Sequence, residues 1–112
     1  MSAIHGNLTQ EKWNGLPRSR QILNIASELQ RALKRLSISP DEFRLSLERA
    51  FELIDLTIED RWKWSSGRLK ELLRFREVMA EYYLSKNRNP DEMKKLLRLL
   101  LNFDPLGSTL QI

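Results

Sequence analysis

Between Pro17 and Leu101 the apolar residues recur at steps of three and four, and no stretch sustains a step of two. That period lines one face of an α-helix and cannot line one face of a strand, so the chain is predicted to be all-α. Ile22, Ile25, Ala26, Leu29, Leu33 and Leu36 form the first stripe and predict a helix from Pro17 to Leu36. Ser39-Pro40-Asp41-Glu42 follows. It offers a capping hydroxyl, a proline at the first helical position where no N–H is needed, and acids beside the positive end of the helix dipole. A second helix starts there. Its stripe of Phe43, Leu47, Ala50, Phe51, Ile54 and Ile58 is joined by Leu45, Leu53 and Leu56 on another face, which predicts two neighbours and a central position.

Ser65, Ser66 and Gly67 interrupt the pattern, and a third helix follows through Leu69, Leu72, Leu73, Met79, Ala80, Tyr83 and Leu84. Asn89-Pro90-Asp91-Glu92 repeats the capping chemistry and opens a short fourth helix through Met93, Leu96, Leu97, Leu100 and Leu101, ending between Asn102 and Pro105. Beyond the two caps the segments share only helical spacing, so this is one solution used twice and not an internal repeat. Short connections favour antiparallel neighbours. The predicted architecture is an up-and-down helical bundle of three long helices plus a shorter fourth. Residues 1–16 are predicted to be an irregular N-terminal arm, 17–104 the helical bundle domain and 105–112 a C-terminal tail.

A chain of 112 residues has the size of one domain and can bury a core without a metal or disulfide staple. The absence of cysteine excludes a disulfide framework, thiolate metal sites and a cysteine nucleophile, and favours a reducing, cytoplasmic location. The longest apolar runs, such as Leu99 to Leu101, fall far short of the roughly 20 residues of a membrane span, so a soluble chain without a membrane partner is expected. A net charge of +4 permits an anionic partner such as a nucleic acid without requiring one.

Four sets of residues carry the candidate chemistry. Arg61-Trp62-Lys63-Trp64 alternates cations with indoles at a helix end. It can stack on bases and grip phosphates, serve as a protein-binding hot spot, or cap the bundle end with one Trp while the cations face the negative helix terminus. Asp55, set between Ile54 and Leu56, is predicted to be partly buried in an ion pair with Arg74 or Arg76. Glu48, Glu52, Asp55 and Glu59 line one helix face, where bases from the first or fourth helix are expected to complement them; residues 39–65 are net acidic, whereas 1–38 and 86–112 are net basic. Phe75, Met79, Tyr82, Tyr83 and Phe103 are either core or the lining of a small apolar pocket. The groups Arg31, Lys34, Arg35 and Lys94, Lys95, Arg98 read as solvated faces.

No metal site is expected, because carboxylate bundles that hold metals pair their acids with helical histidines and the single histidine here is His5, in the arm. A phosphate-cradling glycine loop, a Ser-His-Asp set and a helical histidine base are all missing from the sequence. The chain is therefore expected to be a non-enzyme that needs no cofactor. It is expected to act through protein–protein association, as a homo-oligomer or beside a protein partner.

The stretch Glu48 to Asp60, ERAFELIDLTIED, and the stretch Glu71 to Ser85, ELLRFREVMAEYYLS, resemble a set of small uncharacterised bacterial helical proteins that are in turn similar to HEPN-like bundles. The resemblance spans residues 17–103 and rests on helix-forming patterns. Catalytically active HEPN families cut RNA with an arginine closely followed by a histidine. Arg61, Arg68, Arg74 and Arg76 have no histidine downstream, so the resemblance implies a non-nuclease member. Such members commonly work as paired helical modules, often beside a nucleotidyltransferase partner, which makes an RNA- or nucleotide-binding accessory module the alternative expectation.

Overall fold

The computed structural model describes residues 8–85 and 88–103, and at Arg61 the backbone only. His5 and the expected tail, residues 105–112, lie outside the described residues. Within them the chain forms five α-helices: α1 (Gln10–Asn14), α2 (Arg18–Arg35), α3 (Pro40–Glu59), α4 (Ser66–Leu84) and α5 (Pro90–Leu101). A 3-10 turn, Arg61–Lys63, links α3 to α4.

The helix starts follow local chemistry. Ser39 Oγ accepts the backbone N–H of Glu42 at 3.3 Å and Asn89 Oδ1 that of Asp91 at 2.8 Å, with Pro40 and Pro90 at the first positions. Ser65 Oγ accepts the N–H of Arg68 at 3.2 Å and sets the start of α4. Each cap satisfies an N–H that the first helical turn leaves without a partner.

The core is built mainly between α2 and α3, which pack along each other more extensively than any other pair. α2 buries Ile22, Ile25, Ala26, Leu29 and Ala32, while α3 buries Phe43, Leu47, Ala50, Leu53 and Ile54. α5 packs on α2 through Met93, Leu96, Leu97 and Leu100, and α4 lies against α3 and α5 through Leu72, Phe75 and Met79. α3 meets α1, α2 and α4, one neighbour more than its two apolar faces predict. The corner between α4 and α5 is tied by Tyr82, whose hydroxyl donates to the Asn89 carbonyl at 3.1 Å, and by Arg88. The Arg88 guanidinium lies 4.8 Å from the centroid of the Phe43 ring and donates to the Tyr83 carbonyl at 2.8 Å.

The expectation of an irregular lead-in is corrected over residues 10–14. Five residues make an unstable helix by themselves, and α1 persists because it is docked. Trp13 is buried to 1% exposure and its indole N–H donates to Thr57 Oγ1 at 3.0 Å, while Gln10 Nε2 donates to the Leu56 carbonyl at 2.8 Å. One turn of helix is too short to display a period, so only the contacts with α3 reveal it.

Candidate interaction surface

The Arg61–Trp64 segment divides between surface and interior. Trp62 is 95% exposed, the most exposed of the large apolar side chains described. Trp64 is buried at 5%, and Lys63 turns inward. The Lys63 ammonium lies 2.7 Å from Asp60 Oδ2 and donates to the carbonyls of Asn14 at 2.7 Å and Leu16 at 2.5 Å. Asp60 also accepts from Gln21 Nε2 at 2.9 Å, and that amide donates to the Trp13 carbonyl at 2.9 Å. Gln21 is fully buried. These groups join α1, α2 and the 3-10 turn into one polar knot in which a buried carboxylate keeps its counter-charge. Of Trp62, Lys63 and Trp64 only the first is exposed; Lys63 and Trp64 are spent on the interior, an arrangement in keeping with the reading in which one Trp caps the bundle end.

The predicted pairing of Asp55 forms with Arg76 and not with Arg74. Arg76 Nε donates to Asp55 Oδ1 at 2.7 Å and Nη2 to Oδ2 at 3.3 Å, a two-point contact across α3 and α4. That hydrogen bond holds the Arg76 pKa above its usual value. The expectation of burial is corrected, since the side chains of Asp55 and Arg76 remain 54% and 39% exposed. Consecutive helical residues point about 100° apart, so apolar neighbours in sequence do not bury the residue between them. The rest of the acidic stripe is likewise engaged. Glu48 accepts the Tyr83 hydroxyl at 2.7 Å, which raises the Tyr83 pKa, and Glu52 and Glu59 also have partners. The partners of Asp55 and Glu48, Arg76 and Tyr83, both lie on α4, where bases of the first or fourth predicted helix were the expectation.

Of the aromatic set, Phe75 and Phe103 meet edge to face, with centroids 6.2 Å apart, and line a cleft of about 500 Å³ between α4 and α5 with Val78, Leu99 and Arg74. A second concavity of about 490 Å³ shares Val78 and Leu99 and continues the cleft toward Tyr82 and Lys95. Met79 is buried, and Tyr83 packs against Phe51 on the far side of α4. The group Arg31, Lys34 and Arg35 is partly neutralised by Glu28, 2.8 Å from Arg31, and by Glu42, 3.8 Å from Arg35.

Among the described residues no group of three or more His, Cys, Asp or Glu is placed to hold a metal ion, and no helix is long and apolar enough to cross a membrane. The six large apolar residues left exposed there are Ile38, Leu45, Trp62, Leu73, Leu84 and Leu99. Four of them, Trp62, Leu73, Leu84 and Leu99, lie just before α4, on it, or across its cleft with α5. Which of these side chains stay exposed is not legible in the sequence, although the apolar positions on two sides of α4 are. No family model, curated protein or solved structure matches the chain.

Proposed function

We propose that the chain is a non-catalytic association module, an up-and-down helical bundle that works by binding protein through α4 and its margins. The observation that carries this reading is that four of the six large apolar side chains left exposed among the described residues lie on α4 or at its margins, with Trp62 at 95%, Leu84 at 78%, Leu99 at 55% and Leu73 at 46% exposure. α4 already buries Leu72, Phe75, Met79 and Tyr82 on its inner side. Apolar side chains left exposed along the least-packed long helix offer the surface that a protein partner would cover.

The test is cross-linking with mass-spectrometric mapping, together with light scattering, on the wild type and a Leu73→Glu/Leu99→Glu variant. Cross-links to protein that concentrate on α4 and vanish in the variant are the expected result. A chain that forms no protein complex, or one whose complexes ignore both substitutions, rejects the reading. Salt-sensitive RNA binding lost with Trp62→Ala would favour the nucleic-acid alternative, because phosphate contacts weaken as salt rises.

A further inference from the structure

The outward edge of α4 carries Lys70, Arg74, Glu77 and Glu81, in that order, and all four are exposed. Among the described residues none of the four takes part in an ion pair. Within α4 their order is unfavourable in two ways. Lys70 and Arg74, and likewise Glu77 and Glu81, stand four residues apart, where like charges are neighbours on the helix surface and repel. The bases also lie toward the N-terminal half and the acids toward the C-terminal half, against the helix dipole. α3 and α5 place acids in their first turns, whereas α4 has no acid in its first turn and no base in its last.

Of these four only Arg74 and Glu77, three residues apart, stand as neighbouring opposite charges within α4, whereas a second copy of the helix laid in the reverse direction sets an acid opposite each base and so offsets both conflicts. Residues 70 and 81, and residues 74 and 77, are equidistant from the level between Phe75 and Arg76. We infer that α4 is the seam of a homodimer, in which two copies of α4 lie antiparallel about a two-fold axis at that level. Lys70 then stands level with the partner's Glu81, and Arg74 with the partner's Glu77. The two-fold axis repeats each pairing, as an isologous interface requires. With a rise of about 1.5 Å per residue, the inner pair sits about 2 Å from the axis level and the outer pair about 8 Å.

An apolar line runs beside these charges, with Leu73 about 4 Å, Ala80 about 7 Å and Leu84 about 13 Å from the axis level. Leu73, Ala80 and Leu84 are spaced seven and four apart along the edge that carries Glu77, which is the spacing of a helix–helix contact line. Ala80 is small enough for close approach, Leu73 supplies apolar surface near the axis, level with the partner's Val78, and Leu84 reaches the end of the seam, level with the partner's Gly67. This inference rests on the association reading and narrows it: the partner is a second copy, selected by charge complementarity.

The test is light scattering and sedimentation on the full chain across a concentration series. Wild type is expected to dimerise. The variants Lys70→Glu/Arg74→Glu and Glu77→Lys/Glu81→Lys should each self-associate at least about tenfold more weakly, because like charges then face one another. An equimolar mixture of the two should form a heterodimer, and the fourfold exchange should regain self-association. All four positions are exposed, so helix content is expected to be unchanged by circular dichroism. A wild type that stays monomeric at every concentration, or a dimer that survives both double variants, overturns the inference. If the wild type is monomeric yet binds a different protein in a manner lost with Leu73→Glu/Leu99→Glu, the association reading stands and only the second copy is refuted. If it binds no protein at all, both fall.

Discussion

Two ion pairs in this molecule have the same N···O separation of 2.7 Å and differ in what they contribute. Asp60 is buried beside Lys63 and shares its Oδ2 with the Gln21 amide, whereas Asp55 meets Arg76 in solvent. Removing Lys63 strands a buried carboxylate and unties α1, so Lys63→Met is expected to cost about 1–3 kcal/mol or more in urea unfolding. Arg76→Ala forfeits an exposed pair worth about 0.2–1 kcal/mol plus its stacking on Phe51, 5.2 Å from the ring centroid. An Arg76 variant less stable than the Lys63 variant would contradict this ordering.

Tyr82 and Tyr83 add a dependence on pH. The hydrogen bond to Glu48 is the largest cause raising the Tyr83 pKa, and burial is the largest cause raising that of Tyr82. The folded state therefore favours the neutral phenols. The stability they contribute is complete below the unfolded tyrosine pKa of about 10 and is lost as pH rises through the raised folded values. Phenolate absorbance should titrate later in the folded protein than in urea, and Tyr83→Phe should remove part of the lag. Coincident titrations would show that neither phenol is held. Of these residues the sequence exposed Asp55 and its choice of arginines. Gln21 and Asp60 were not foreseen, because a polar residue in register with an apolar stripe looks the same whether it is core or margin.

At the scale of elements, the starts of α3, α4 and α5 were legible because capping is local: side-chain oxygens three or fewer residues away accept the first free N–H groups. The start of α4 also holds an avoidable weakness. Gly67 lies in the first turn of the helix, and a Cβ built there meets nothing within 4 Å. Gly67→Ala is expected to stabilise the chain by roughly 0.4–1 kcal/mol, chiefly by restricting the unfolded state, and chemical denaturation would read it directly. A loss of stability would mean that α4 begins differently. α1 escaped the sequence altogether, since its stability comes from Trp13 and Gln10 reaching α3 more than forty residues away.

For the molecule as a whole, packing is uneven. α2 and α3 share the most extensive interface, and α4 packs least of the four long helices. Amides of α2 and α3 are therefore expected to exchange last in hydrogen-exchange mass spectrometry, with α4 opening earlier in dilute protein and gaining protection as concentration rises. Equal protection throughout, or protection of α4 that ignores concentration, would weigh against both the packing order and its role as a seam.

By itself the sequence determined that the chain is helical, where its long helices begin, and which residues line their apolar stripes. Those properties depend on groups within about one turn of each other, and a linear pattern records them. The tertiary structure alone decided that Lys63 and Trp64 turn inward while Trp62 stays out, that Asp55 takes Arg76 in solvent, and that Trp13 is core. Each of these depends on which helix faces are brought together, and burial is a property of neighbours distant in sequence. A helical stripe shows that a face must be covered, but what covers it is settled only when the helices pack.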